Sequence, residues 1–151
     1  ALEHEPREPG SEEYLDSEKY QIRQRDLKRT DSMAGLMTTL NRIRKQHPAL
    51  QQDRHALVLA TDNPMLFAFC KWSEDGADRI VVIVNLDMRW TQSGFVTVGP
   101  GVAGTAANEA FEVEDLLSGE RYRWEPGANF VRLAPETMPV HLMRIRRIAS
   151  A

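Results

Sequence analysis

The sequence contains a single cysteine, Cys70, among its 151 residues, which excludes an internal disulfide framework. No apolar run approaches the roughly 18 residues of a membrane-spanning helix. The net charge of -3 gives none of the basic excess that nucleic acid or an anionic membrane attracts. Because Cys70 lies in an apolar, strand-like run, we expect a buried and unreactive thiol. The composition predicts a globular protein, and the lone thiol suits the reducing cytoplasm.

The sequence also lacks the spacings that most metal and catalytic sites require. His4, His47, His55 and His141 do not stand at zinc-ligand spacing from one another or from Cys70. There is no phosphate-binding glycine loop and no Gly-x-Ser-x-Gly motif. We therefore predict no metal, no cofactor and no cysteine–histidine nucleophile in this chain.

Carboxylates are the remaining candidates for chemistry, and they are concentrated in one short polar segment. They are Glu12, Glu13, Asp16 and Glu18. Glycoside chemistry requires two carboxylates at a defined separation, and a surface loop does not set one. Solvated or ion-paired carboxylates are the alternative interpretation. Lys19 stands between Glu18 and Tyr20, so a cation, an acceptor and an aromatic ring adjoin; this makes it a candidate ligand contact, or else a plain surface lysine.

One amphipathic helix is predicted over residues 32–47. Its apolar stripe repeats with a period of 3.6 and consists of Met33, Leu36, Met37, Leu40, Ile43 and His47. Pro48 ends the helix. The stripe is typical of packing against a neighbouring surface, and residues 1–30 contain too few apolar side chains to fold by themselves.

After Pro48 the hydrophobic period becomes 2, which predicts an antiparallel β-sandwich. The predicted strands are 55–60, 65–72, 79–86, 94–98, 110–116, 121–124, 129–133 and 139–146. The run 80–84 is apolar on both faces and should form a central strand, and Ser118-Gly119 should form a hairpin tip. Residues 99–109 are expected to form a surface loop. Trp72, Trp90 and Trp124 could stack on sugar rings, although core or rim positions are the more ordinary interpretation.

The segment 13–20, Glu-Tyr-Leu-Asp-Ser-Glu-Lys-Tyr, followed by Ile22-Arg23 and Asp26-Leu27, resembles the segment that closes the catalytic barrel of maltosyltransferases that use α-maltose-1-phosphate. These enzymes belong to the α-amylase superfamily. Residues 40–50 resemble the last barrel helix and its exit. Residues 61–63, 82–87, 93–94 and 115–119 resemble the β-sandwich that follows. The similarity extends from about residue 12 to residue 146.

The resemblance implies a retaining transfer of maltosyl units from α-maltose-1-phosphate to the non-reducing ends of α-1,4-glucans, as in glycogen synthesis. The catalytic carboxylates of the family lie upstream of segment 13–20, so this chain should contain none and be inactive alone. The resemblance places Lys19 and Tyr20, with Glu18, at the maltosyl hydroxyls, and makes Asp16 and Arg23 anchors of the loop. Residues 1–50 would be the end of a catalytic (β/α)8 barrel and residues 51–151 the C-terminal sandwich.

Other interpretations remain open at the level of sequence. The parent protein could be an α-amylase or a trehalose synthase, or the sandwich could be a non-catalytic glucan-binding or structural domain. The helix stripe would be buried in part by the sandwich and in part by the missing catalytic barrel. Without that barrel, we expect the stripe and residues 1–30 to be exposed, mobile or paired with another copy in a homodimer.

Overall fold

The structure, a computed structural model, describes residues 6–15, 24, 26, 29 and 32–148. The chain divides into two compact units, Ala1–Asn41 and Arg42–Ala151. The predicted division between residues 50 and 51 stays a prediction, and each unit is described by itself.

The first unit contains a short loop and the start of a helix. Pro6 and Tyr14 form an isolated antiparallel bridge. The backbone N–H of Arg7 donates to the carbonyl of Glu13 at 2.8 Å. Helix α1, Ala34–Gln46, begins in this unit. Met33, just before α1, and Leu36 and Met37 of α1 are 56%, 47% and 51% exposed.

The second unit begins with the last turn of α1. Ile43 and His47 are buried there, so the end of the predicted stripe does pack. A single 3₁₀ turn, Pro48–Leu50, follows the helix. Pro48 ends α1 because its ring cannot continue the helix and it has no N–H to donate. The predicted helix is therefore confirmed with slightly shorter bounds.

Eight strands follow within residues 42–148. They are β1 Ala56–Leu59, β2 Leu66–Trp72, β3 Arg79–Asn85, β4 Gln92–Val98, β5 Phe111–Asp115, β6 Arg121–Trp124, β7 Gly127–Leu133 and β8 Val140–Arg147. Six strands form one antiparallel sheet in the order β1-β2-β3-β8-β5-β6, and β4 pairs with β7 in a second sheet. The predicted antiparallel sandwich is confirmed.

The core lies between the two sheets and follows the alternation of the strands. The larger sheet contributes Cys70, Val81, Ile83, Phe111 and Val113, and the smaller sheet contributes Val96, Val98, Val131 and Leu133. Strand β3 lies inside the larger sheet between β2 and β8 and is buried on both faces, as predicted. Burying this many apolar side chains is the main source of the fold's stability.

The region predicted as a loop, 99–109, is in part helical, so that prediction was wrong over one turn. Pro100–Ala103 form a short helix, α2, with Pro100 at its first position and Gly104 in the left-handed region at φ 74° after its end. Proline is preorganised for a first helical turn, and glycine accepts the left-handed conformation without a steric cost. Ala103 is buried in the core, so α2 covers one end of the sandwich.

Strands β4 and β7 both begin two residues earlier than predicted. They pair over their whole lengths, from Gln92 opposite Leu133 to Val98 opposite Gly127. Gly127 carries a φ of 125°, which only glycine adopts readily. Mutual pairing therefore extends both strands beyond the apolar residues that predicted them.

Candidate functional site

The predicted sugar contacts lie outside the described residues. They are Glu18, Lys19 and Tyr20, and the predicted anchors Asp16 and Arg23 lie outside as well. The roles of all five therefore stay predictions.

Of the two carboxylates of the same segment that are described, Glu12 and Glu13, the second is engaged in an ion pair. Glu13 Oε2 lies 3.1 Å from Arg7 Nη1, and the two side chains are 71% and 67% exposed. An exposed pair of this kind is screened by water and contributes little free energy. Glu13 thus fits the interpretation of a solvated ion pair rather than a catalytic acid.

A buried histidine–aspartate pair ties the end of α1 to the sandwich. His47 Nδ1 lies 2.9 Å from Asp78 Oδ1, and the backbone N–H of Ala49 donates to Asp78 Oδ2 at 3.1 Å. Arg144 of β8 places its Nε 3.6 Å from Asp78 Oδ1. His47 and Asp78 are each 7% exposed, and a buried carboxylate must find such partners. We call these four residues the helix anchor.

The turn between β2 and β3 holds Asp78 in place. Its N–H donates to Ser73 Oγ at 2.9 Å, and the Ser73 N–H donates to the Asp78 carbonyl at 2.9 Å. The Ser73 hydroxyl donates to Asp75 at 2.6 Å, and the N–H of Ala77 donates to the same oxygen at 3.0 Å. These bonds, with that from Ser73 the largest, hold the pKa of Asp75 below its usual range. A depression of about 790 Å³ lies beside the anchor. Two carboxylates that line it, Asp75 and Asp78, are already engaged in hydrogen bonds of the turn and the anchor.

The loop between β3 and β4 is organised by two polar side chains. Asn85 Nδ2 donates to the carbonyls of Trp90 and Leu133, each at 3.0 Å, and Asn85 Oδ1 accepts from the Asp87 N–H at 2.8 Å. Asp87 accepts from the Arg89 N–H at 2.9 Å, the main reason its pKa is lowered. The loop is therefore ordered by internal bonds while it leaves Trp90 70% exposed.

A second buried pair joins the end of β5 to β8. Asp115 Oδ2 lies 2.6 Å from His141 Nδ1, and Asp115 Oδ1 accepts from the Leu117 N–H at 2.9 Å. Burial alone would raise the pKa of Asp115, but the bond from His141 and that from Leu117 outweigh it and leave the pKa lowered. The Asp115 carboxylate is thus ionised at neutral pH, and it accepts a hydrogen bond from the N–H at His141 Nδ1.

Tyr122 on β6 lies against this pair. Its ring centroid is 6.3 Å from that of His141, with the planes inclined by 66°. The Tyr122 hydroxyl donates to the carboxylate of Glu120. This bond and partial burial raise the pKa of Tyr122 to about 12, so the hydroxyl keeps its proton at neutral pH.

For Trp72 and Trp124, the ordinary interpretation of a core or rim position is confirmed. Trp124 is 6% exposed and packs edge-on against Phe111, with ring centroids 6.4 Å apart. Trp72 stacks on His55 with centroids 5.7 Å apart. Trp90 is the one that is largely exposed.

Sequence reasoning did not single out Asp78 and Asp115 as buried groups. For Asp115 a signal was available, because Phe111, Val113 and Asp115 share one face of β5 at period 2. A carboxylate that continues an inward-facing series must be paired. Asp78 follows a turn and carries no comparable pattern.

Residues 6–15, 24, 26, 29 and 32–148 contain no cluster of three histidine, cysteine, aspartate or glutamate side chains that could hold a metal ion. Over the same residues no helix is both long enough and apolar enough to span a membrane. Cys70 is free and buried, and burial raises the pKa of its thiol to about 11. The expected burial of the thiol is confirmed, and its lack of reactivity stays a prediction.

Comparison with known proteins connects this sandwich to one family. The family described as "GLGE, C-terminal" matches residues 58–145, which include strands β2 to β7 and most of β8. The chain belongs to this family. The predicted resemblance is therefore confirmed for the sandwich.

Several relatives of this GLGE C-terminal chain carry the name α-1,4-glucan:maltose-1-phosphate maltosyltransferase. The protein from Corynebacterium glutamicum is 42% identical over 145 residues, which are 93% of this chain and 21% of that protein. Maltosyltransferase 2 from Streptomyces coelicolor is 40% identical over 153 aligned positions, covering 99% of this chain and 22% of that protein. The chain thus spans about a fifth of the length of these curated relatives.

The fold of the GLGE C-terminal chain is found in α-amylases as well. The crystal structure of an α-amylase from Geobacillus thermoleovorans, complexed with acarbose, matches 83% of this chain and 25% of its own, with a TM-score of 0.59 and 14% identity. At this identity the match establishes the fold, and it confirms a sandwich of the α-amylase C-terminal type.

Proposed function

We propose that this chain is the C-terminal part of an α-1,4-glucan:maltose-1-phosphate maltosyltransferase. The parent enzyme would move maltosyl units from α-maltose-1-phosphate to the non-reducing ends of α-1,4-glucans and release phosphate. The supporting observation is the family match together with relatives of that name that align over 93–99% of this chain. Because the chain spans only 21–22% of these relatives, the catalytic carboxylates would lie in the remainder. The 151-residue chain would then be inactive alone.

Within the parent enzyme, Lys19, Tyr20 and Glu18 would contact the hydroxyls of the maltosyl unit. The alignment with maltosyltransferase 2 covers 99% of this chain, so it includes nearly all of segment 13–20. This coverage supports the transfer of the assignment from the family. A lysine and a glutamate beside a tyrosine provide donors, acceptors and a ring face for a sugar.

The decisive experiment measures phosphate release from α-maltose-1-phosphate by the full-length protein, with maltohexaose as acceptor. Release coupled to lengthening of the acceptor by two glucose units is expected. Hydrolysis of starch without phosphate release would assign the parent to the amylases, and conversion of maltose to trehalose would assign it to the trehalose synthases. Either result would overturn the proposal.

Variants of the full-length protein test the donor contacts. Lys19→Ala and Glu18→Gln should each lower kcat/KM for α-maltose-1-phosphate by about tenfold or more, the cost of one lost charged hydrogen bond. Lys45→Ala is the matched control, because Lys45 is an exposed lysine of α1 without a proposed role. An unchanged kcat/KM in both variants would contradict the proposed contacts but leave the activity itself standing.

The sandwich would also pack against the missing catalytic barrel, and the structure offers a face for this. Side chains of β2 and β3 alternate between the core and the opposite face, where Phe67 pairs in register with Val84 and Phe69 with Val82. Val58 of β1 joins this face, and Val58 and Phe67 are 66% and 41% exposed. An apolar sheet face of this kind is typical of a surface that another domain covers.

Co-expression of the barrel with this chain tests the packing role. A barrel that folds and releases phosphate without the chain would exclude it.

Where the chain is produced alone, a second copy would cover the exposed stripe of α1, and light scattering after gel filtration should then give the mass of a homodimer. We place the parent in the cytoplasm, which the free and buried Cys70 supports; recovery of the protein in a secreted fraction would contradict this.

A further inference from the structure

A groove of about 410 Å³ lies at one edge of the sandwich, between β6 and β7. Six of the side chains that line it are Glu120, Tyr122, Trp124, Arg132, Met138 and His141. Its volume falls within the range of about 300–1,000 Å³ that is usual for small-molecule sites. The groove therefore has room for a sugar unit.

Two aromatic side chains of the groove are held in place by contacts within the sandwich. Trp124 packs edge-on against the buried Phe111, and Tyr122 packs edge-on against His141. Held rings give contact area at little cost in conformational entropy. Trp124 is only 6% exposed, so the ring on which a pyranose can pack its apolar face is that of Tyr122, which is 36% exposed.

The polar groups of the groove are also preorganised. His141 lines the groove; its Nδ1 is committed to Asp115, and in the described part of the chain the ring makes no other hydrogen bond. The Tyr122 hydroxyl is bonded to Glu120, which fixes both side chains. Hydroxyl-rich ligands need this combination of donors and acceptors.

The charges of the groove favour a neutral ligand. Glu120 contributes a negative charge and Arg132 a positive one, so neither an anion nor a cation meets a field of one sign. A ligand with an apolar face, many hydroxyls and no charge matches both the exposed Tyr122 ring and the two opposite charges.

We propose that this groove binds glucosyl units of an α-1,4-glucan. The choice of an α-1,4-glucan rests on the proposed function, whereas the preference for a neutral sugar rests on the groove. Binding here would hold a polymer on the sandwich while the parent enzyme acts on its ends.

The three tryptophans allow a test with an internal control. In the ¹⁵N-labelled 151-residue chain, each indole N–H gives its own cross-peak, and of the three only Trp124 lines the groove. Titration with maltoheptaose should move the Trp124 peak with saturation and leave those of Trp72 and Trp90 in place. A shift of the Trp90 peak instead, or no shift at millimolar maltoheptaose, would overturn the proposal.

Two variants of the groove extend the test. Tyr122→Ala should raise the Kd for maltoheptaose by about tenfold because it removes one stacking ring, and Arg132→Ala should raise it by about threefold. Phe67→Ala is the matched control, since Phe67 is similarly exposed but lies on the other sheet face. Arg132 is an outward-facing side chain of β7, so its variant reports on binding even if Tyr122→Ala unfolds.

The outcomes separate this inference from the proposed function. If the full-length protein releases phosphate but both groove variants bind maltoheptaose with wild-type affinity, glucan binding in the groove is refuted and the transferase activity stands. Saturable binding that both variants weaken, in a protein without phosphate release, would establish the groove and refute the transferase.

Discussion

Removal of the Asp78 carboxylate should loosen the junction between α1 and the sandwich. Asp78 receives a bond from His47 at 2.9 Å and one from the Ala49 N–H at 3.1 Å. The variant Asp78→Ala leaves both donors without an acceptor. His47 is 7% exposed and Ala49 is fully buried, so water cannot easily replace the carboxylate.

The expected cost follows from these two orphaned donors. A buried donor that loses its partner costs about 1–3 kcal/mol. Two such donors together give a range of about 2–6 kcal/mol. Arg144 adds little, because its side chain is 38% exposed and water can replace the contact. We therefore expect a loss of about 3 kcal/mol in the free energy of unfolding.

Thermal unfolding followed by circular dichroism measures this loss. For a chain of this size, about 3 kcal/mol corresponds to a fall in Tm of about 6–12 °C. Asp78→Asn should fall between wild type and Asp78→Ala, because its amide oxygen can still accept one bond. Hydrogen exchange should be accelerated at the amide of Ala49, which donates to the lost carboxylate.

Asp53→Ala is the control for the loss of an aspartate. Its carboxylate lies 2.9 Å from Lys71 Nζ, but the Asp53 side chain is fully exposed. No measurable change in Tm is expected for this variant. If Asp78→Ala unfolds within 2 °C of wild type, or no lower than Asp53→Ala, the helix anchor does not stabilise the junction and the reasoning fails.

Three further outcomes are expected. Because the pKa of Asp115 is lowered from 3.8, its ionised form stabilises the fold above that pH. The difference in free energy of unfolding between wild type and Asp115→Asn, measured with denaturant, should therefore narrow below about pH 4. A difference that stays constant with pH would contradict the lowered pKa. Gly94→Ala should cost about 1–3 kcal/mol, since a Cβ there would meet Asp62 Oδ1 at 2.5 Å, whereas Gly101→Ala, with nothing within 4 Å, should leave the denaturation midpoint unchanged. Cys70, with a pKa of about 11, should resist iodoacetamide at pH 8 until denaturant is added, as mass spectrometry would report; rapid labelling of the folded chain would exclude its burial.

Much of the secondary structure could be predicted because it depends on local patterns. The period of 2 after Pro48 located all eight strands, and the apolar run 80–84 identified the central strand. The turn at Ser118-Gly119 was predictable as well, since Gly119 adopts a φ of 79°. Helix α2 was missed because its Gly and Ala content resembles a loop, and the burial of Ala103 and the bonds from Arg79 that stabilise this single turn are tertiary contacts.

The buried polar pairs could not be predicted in the same way. His47 and Asp78 are 31 residues apart, and Asp115 and His141 are 26 apart. Their association depends on which strands become neighbours, and local periodicity does not contain that information. The groove has the same origin, because β6 and β7 belong to different sheets.

The amino-acid sequence alone determined the sandwich class, the end of α1 at Pro48 and the resemblance to maltosyltransferases. These depend on side-chain period, on proline's missing N–H and on short contiguous motifs. Tertiary structure alone decided the strand order β1-β2-β3-β8-β5-β6, the partners of Asp78 and Asp115, and the groove beside His141. The physical reason is that a buried charge selects its partner by proximity in the folded chain, and folding brings together residues that the sequence keeps far apart.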